Sequence, residues 1–267
     1  MYHRVATAEA DPLELCVAPE RFREQLELLG SLGEIVPLET LVRDRRGHGL
    51  KVAVTFDDGY ADNALAAAPL LAAEDASATV FVVAGAVGSA RPFWWDRLAA
   101  LIYDGDGTAY WSAWERLRKL PADQIEQELE SLEAVHGAAK VDVGSRPVSE
   151  DELLSLAGGP VEIGGHTVSH PSLPALPEAS RREEIATGRE RLESLLGRPI
   201  TTFAYPYGDY DVATVRLVRT AGFRLACTIH ENQLSRFSSP HLLPRYAVRD
   251  WPAEELERRV TALSRPA

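Results

Sequence analysis

Cysteine is scarce: Cys16 and Cys227 are the only two in 267 residues. They can form one bridge at most, so no disulfide framework holds the chain, and two reduced thiols in a reducing compartment are expected. No run reaches 18 apolar residues, so no integral membrane segment is expected. The chain opens Met1-Tyr2-His3-Arg4-Val5, without a charged-then-apolar leader, and a cytoplasmic location follows as an expectation. Positive charge is in deficit, with 28 Lys and Arg against 40 Asp and Glu, a net charge of −12. Such a chain offers no field for nucleic acid or anionic lipid, and no basic run builds a local groove. Internal repeats and low-complexity linkers are missing too. What remains, 45% apolar and 25% charged residues, is an ordinary globular chain. A chain of this length buries about 70–75% of its unfolded surface without disulfides or metal.

Strand-like and helix-like stretches alternate. Lys51–Phe56, Ala78–Val83, Val161–Ile163, Thr201–Ala204 and Phe223–Ile229 read as strands. Ala61 to Ala73 reads as a helix. Phe22, Leu26 and Leu29 mark one amphipathic helix; Ile185, Leu192, Leu195 and Leu196 mark another, ending at Gly197. Alternation of this kind implies parallel βα units. The region at about 85–160 differs: it reads as mostly helical and holds Trp94, Trp95, Trp111 and Trp114 of the five tryptophans. Ser149 and Glu152 have capping-box spacing. We read a single domain over 1–267 with a helical insertion there. Its tryptophans read as packing residues, with Phe93-Trp94-Trp95 as a sugar platform the alternative.

Three short clusters carry chemistry, each just after a strand. Thr55-Phe56-Asp57-Asp58-Gly59-Tyr60 closes a hydrophobic strand with two carboxylates and a glycine turn. Two anions this close each need a cation or proton nearby, unless the turn is simply solvated. Gly164-Gly165-His166-Thr167-Val168-Ser169-His170-Pro171 places two imidazoles four residues apart, on one side of a helix or tight loop. Imidazole nitrogens plus a carboxylate suit zinc and leave a position open, as in catalytic sites. Phe203-Ala204-Tyr205-Pro206-Tyr207-Gly208 is a turn whose backbone amides can face an oxyanion.

Together the three clusters resemble the polysaccharide deacetylase family, carbohydrate esterase family four. Its first motif, T-F-D-D-G, is matched by Thr55 to Gly59 without a change; its second, H-[ST]-x-x-H, by His166, Thr167 and His170; its third, R-x-P-Y, in part, at Pro206 and Tyr207. The resemblance runs from about residue 1 to 251. It implies an α/β fold, a distorted (β/α) barrel with its site at the strand C-termini. It implies Asp58, His166 and His170 as metal ligands, Asp57 as general base and the Tyr207 backbone N–H as an oxyanion donor. The implied cofactor is a divalent ion, zinc by default, with cobalt, nickel or iron admitted by the same donor set. The implied reaction is removal of an N-acetyl group from an amino sugar in a saccharide or glycoconjugate.

Two features depart from the family pattern. Tyr205 stands where the family has the arginine that orients the base, and the late Leu-x-His motif is missing. The chain instead resembles a circularly permuted branch of the family, in Tyr2-His3-Arg4-Val5, Pro19 to Leu26 and Val36-Pro37-Leu38. That resemblance implies His3 as general acid. Arg245, in Leu243-Pro244-Arg245, is the candidate to replace the missing arginine beside Asp57. The other readings are a deformylase or cyclic-amide hydrolase on the same site, or a non-catalytic saccharide-binding protein.

Overall fold

The computed structural model describes residues 1–45, 49–139 and 142–263. In chain order the elements are β1 (Arg4–Val5), β2 (Cys16–Val17), α1 (Pro19–Leu32), β3 (Glu34–Ile35), α2 (Leu38–Arg43), β4 (Lys51–Val52) and β5 (Val54–Phe56). There follow α3 (Ala68–Ala73), β6 (Ala78–Val82), α4 (Trp94–Ile102), α5 (Thr108–Leu117), α6 (Ala122–His136) and α7 (Glu150–Ala157). The last third holds β7 (Val161–Gly165), α8 (Glu178–Leu196), β8 (Thr202–Ala204), α9 (Val212–Thr220), β9 (Leu225–Cys227) and α10 (Ala253–Leu263). No helix among the described residues is long and apolar enough to cross a membrane.

Strands β5 to β9 form one parallel sheet in the order β5-β6-β7-β8-β9. Their β-branched and aromatic runs are buried because helices cover the sheet, as parallel sheets require. Beyond β9 the ring continues through residues 243–248 and the first two residues. Leu243 N–H donates to the Ala226 carbonyl and Thr228 N–H to Leu243. The Met1 nitrogen donates to the Tyr246 carbonyl, and Val248 N–H to Met1. Tyr2 N–H donates to Thr55, and Asp57 N–H returns to Tyr2. These bonds bring the sheet back to β5 and make a distorted (β/α) barrel. The rings of Tyr2, Phe22 and Phe56, 5.1–5.6 Å apart and almost fully buried, pack this seam against α1.

Two local departures have physical reasons. The stretch expected as one strand, Lys51–Phe56, divides at Ala53. Its half-buried first part pairs with β3 and its buried second part with β6. The helix expected from Ala61 opens with a π turn at Asn63–Ala67, because Pro69 has no N–H for the Leu65 carbonyl and the turn before it widens. Among the described residues, the α-helices α4 to α7 stand between β6 and β7. The capping box forms, with both Ser149 and Glu152 bonds in place.

Phe22→Ala removes a fully buried ring from the seam, and an equilibrium denaturation curve should show a loss of about 3–5 kcal/mol. A loss below about 1 kcal/mol would mean that the rings do not hold the seam.

Candidate active site

Asp57-Asp58 follow directly on strand β5, and both carboxylates are buried, at 3% and 4% exposure. The turn needs Gly59, which has φ +79°; a Cβ there would crowd the Val82 side chain at 3.1 Å. This turn lets the two neighbours face different partners within one site.

Asp57 faces Arg245. Its two oxygens accept from the guanidinium at 2.6 and 2.7 Å, a bidentate pair between groups 188 residues apart. Arg245 also donates to the Thr228 carbonyl at 2.9 Å. Burial alone would push Asp57 up, but Arg245 more than offsets it and holds the carboxyl well below its ordinary range. Tyr205, standing where the family has arginine, turns away: it is fully buried and its hydroxyl donates to the His241 carbonyl.

Asp58 faces the histidines. His166 Nε2 and His170 Nε2 approach Asp58 Oδ1 at 3.5 and 3.4 Å. These three ligand atoms all lie within 4.8 Å of one another. The loop between the histidines contains no helix; the imidazoles converge because the backbone is left-handed at Thr167 (φ 69°) and His170 (φ 61°). His166 Nδ1–H donates to the Ala204 carbonyl at 2.8 Å, which turns Nε2 toward Asp58. Burial lowers the His170 ring to about 3, against the pull of Asp58, so this ring is neutral at pH 7. Burial pushes Asp58 up, and the surrounding imidazoles of His166, His170 and His3 bring it below its ordinary value.

The donor set fits a metal ion. Two imidazole nitrogens and a carboxylate oxygen converging in a buried space are the donor types that a divalent ion such as zinc accepts. Ligand atoms about 2.1 Å from one tetrahedral ion stand roughly 3.4 Å apart, which matches the two contacts to Asp58.

Other groups close around this triad. The Trp95 ring lies 4.8 Å from His170 and is fixed by its N–H bond to the Tyr60 hydroxyl, which donates to Asp96. Phe93 and Trp95 are 7% and 3% exposed, so they pack inside and present no sugar platform. Tyr207 has φ 58° and its ring lies 4.5 Å from His170. His3 is held from both sides. Tyr2 packs in the aromatic seam, and Arg4 pairs with Asp62 at 2.9 Å and Asp142 at 3.0 Å. Asn63 donates to the His3 carbonyl at 2.8 Å. Burial lowers the His3 ring, while Asp58 and Asp57 pull it back up, which puts it in the field of the same carboxylates.

Sequence reasoning missed Glu184. This α8 side chain accepts from the N–H groups of Val168 and Ser169 at 2.9 Å each, and from the Ser169 hydroxyl at 2.7 Å. One turn on, a Cβ at Gly188 would meet the Thr167 backbone at 2.9 Å. Helix α8 thus braces the histidine loop through an (i, i+4) pair that looks like an ordinary polar helix face. A cavity of about 560 Å³ lies elsewhere. Thr55, Cys227 and Arg245 border it, but none of Asp57, Asp58, His166 and His170 does.

A model of the polysaccharide deacetylase family matches residues 44–226. YxkH of Bacillus subtilis (strain 168), named for the polysaccharide deacetylases, is 20% identical over 253 residues, covering 93% of this chain and 70% of that protein. The structure of the Streptococcus pyogenes deacetylase PplD in complex with acetate superposes with a TM-score of 0.69 at 20% identity, covering 100% of this chain and 96% of that one. IcaB from Ammonifex degensii gives 0.67 at 23% identity, covering 98% and 94%. At these identities the two solved structures speak for the shared barrel.

Two predictions follow from the geometry. Because Asp57 is held low, its pairing stabilises the fold above the ordinary carboxylate pKa of about 4 and loses that contribution as pH falls below it. Arg245→Met strands a buried carboxylate, and unfolding at pH 7 should show a loss of about 3–5 kcal/mol, shrinking as acid protonates Asp57. An equal deficit at pH 7 and pH 3 would refute the pairing as its cause. Glu184→Ala frees the histidine loop, and calorimetric zinc titration should show affinity weakened roughly 10–100-fold; unchanged affinity would show that the brace is idle.

Proposed function

The chain belongs to the polysaccharide deacetylase family, and we propose that it hydrolyses the N-acetyl group of an amino sugar in a saccharide or glycoconjugate. One observation carries the reading: Asp58, His166 and His170 converge beside a second, ionised carboxylate clamped by arginine. We take residues 1–267 as one catalytic domain and Asp58, His166 and His170 as the ligands of a divalent ion, zinc by default. When bound, that ion supplies Lewis acidity, polarising the amide carbonyl and lowering the pKa of water.

The chain's own residues supply the rest. Asp57 is ionised throughout the neutral range, so it is free to take the proton of an attacking water. Arg245 fixes both of its oxygens and so sets the direction in which it accepts. The Tyr207 backbone N–H is assigned to the developing oxyanion. His3, on the segment between the seam and the Arg4 pairs, is assigned to protonate the leaving amine, as the permuted branch implies.

The test is metal content together with acetate release from a panel of N-acetylated saccharides. We expect a bound divalent ion, release abolished by chelator, and a loss of about 10²-fold or more in Asp57→Asn. Formate or a ring-opened product in place of acetate would move the chain to the deformylase or cyclic-amide reading. A metal-loaded protein that binds saccharide but releases nothing would make it a binding protein. A chain that binds no metal would overturn the reading altogether.

A further inference from the structure

We propose that Asp96 is a positioning residue for the metal site: through the Tyr60 hydroxyl and the Trp95 indole it sets the orientation of the His170 ring. The helical insertion then supplies part of the site's frame, not only its cover. This rests on the reading of His170 as a metal ligand and deepens it.

The two histidines are held in different ways. His166 is oriented by a hydrogen bond, from Nδ1 to the Ala204 carbonyl. Metal-ligating histidines almost always carry such a bond on the nitrogen that faces away from the ion. His170 departs from that pattern. Its Nε2 faces Asp58, and its Nδ1 is buried with no hydrogen-bond partner among the described residues. What surrounds the ring is aromatic: Tyr207 at 4.5 Å, Trp95 at 4.8 Å and His166 at 4.8 Å, tilted by 72°, 52° and 62°. Ring contacts are individually weak, so they orient the imidazole only where the walls are themselves fixed.

Trp95 is such a wall. Phe93 stacks on it at 4.8 Å, within 3° of parallel. Stacking alone would let the indole slide over the facing ring. The bond from its Nε1 to the Tyr60 hydroxyl, 2.6 Å, removes that freedom. A hydroxyl rotates to suit its partners. Asp96 Oδ2, at 2.9 Å, takes the Tyr60 proton and so leaves the hydroxyl oxygen to the indole. The Tyr60 ring is fully buried, edge-on to Phe93 at 4.9 Å and 5.0 Å from the Arg4 guanidinium. Tyr60 also stands two residues after Asp58, in the same turn. The relay thus ties the wall beside one ligand to the turn that carries another. Asp96 lies in the first turn of α4, where a helix N-terminus favours any carboxylate. That role needs the charge, whereas the relay needs only an acceptor oxygen. Burial raises Asp96 to about 7, so a neutral side chain is tolerated there.

The experiment compares wild type, Asp96→Ala, Asp96→Asn and Leu98→Ala. Leu98 is fully buried on the same helix but packs in a different cluster from Trp95. Its truncation therefore reports what a loosened α4 does by itself, and melting curves measure that loosening in every variant. Calorimetry reads zinc affinity, and the visible absorption of the cobalt-loaded protein reads ligand geometry. We expect Asp96→Ala to weaken zinc binding about tenfold and to change the cobalt spectrum. Asp96→Asn, whose amide oxygen still accepts from Tyr60, should restore most of both. Leu98→Ala should lower the melting temperature and leave both unchanged. If Asp96→Ala does not fold, Tyr60→Phe, which keeps the ring and removes the hydroxyl, takes its place. Wild-type affinity and spectrum in Asp96→Ala overturn the proposal. So does an equal loss in Leu98→Ala, where helix stability is the cause, or in Asp96→Asn, where charge is. If the wild type binds neither zinc nor cobalt, the metal reading fails by itself, and the ring C–H resonances of His170 decide the positioning. They should move in Asp96→Ala and stay in Leu98→Ala; no movement in Asp96→Ala overturns it.

Discussion

Asp57 and Asp58 are neighbours in the chain, both buried, and both held below the ordinary carboxylate range. Their mutual repulsion is sharpened by burial, so the strand that carries them is tolerable only where counter-charge or donors reach each one. These arrive from opposite directions. Arg245 comes from the last part of the chain, and the two imidazoles from the loop after β7. The segment that delivers Arg245 is also the one that links β9 to the first residues and closes the barrel. Barrel closure and neutralisation of Asp57 are therefore one structural event. A chain that fails to place 243–248 loses its seam and its clamped carboxylate together.

Holding these groups also costs backbone strain. Asp58, Thr167, His170 and Tyr207 all have positive φ, and a non-glycine residue there costs roughly 1–3 kcal/mol. Strain of this size persists only where surrounding contacts over-determine it. Glu184 and Gly188 of α8 fix the histidine loop. Arg118, through Asp209 and Ser172, ties the end of α5 to the loops after β7 and β8. The helices between β6 and β7 thus do more than cover the sheet: they brace the wall on which Tyr207 and His170 meet.

Sequence made visible whatever is local. The strand-then-carboxylate and Gly-Gly-then-histidine clusters are read within eight residues, and their convergence follows once both strands are known to be parallel in one sheet with a single strand between them. Arg245 was reachable only indirectly. Tyr205 stands where the resembled family has its arginine, and Arg245 was a candidate only as the replacement for it. Glu184 could not be found this way, because a glutamate on a polar helix face looks solvated until α8 is laid against the histidine loop. The same limit applies to the aromatics. Phe93-Trp94-Trp95 read as packing residues, with a sugar platform as the alternative, and residue type alone did not choose between them. Burial moves Phe93 and Trp95 inside and leaves Trp111 as the exposed ring, a distinction set by the packing of α4 against α5 and α6, not by the residues themselves.

Arg245 has opposite effects on the chemistry assigned to Asp57. It keeps the carboxylate ionised and aimed, yet every unit by which it lowers the pKa weakens Asp57 as a base by about 1.4 kcal/mol. Against ordinary water, with a pKa near 15.7, so weak a base would face a steep uphill transfer. Against water acidified to about 7, the same transfer is easier by roughly 12 kcal/mol. That difference far exceeds the few kcal/mol of basicity that a bidentate arginine removes. A strongly clamped Asp57 is thus a workable base only beside a site that acidifies water, and the triad around Asp58 has the donor set for that task. On the proposed mechanism the adjacency of the two aspartates has a chemical reason: one would hold the acidifying group, and the other, held anionic by Arg245, would stand one residue away to take the proton.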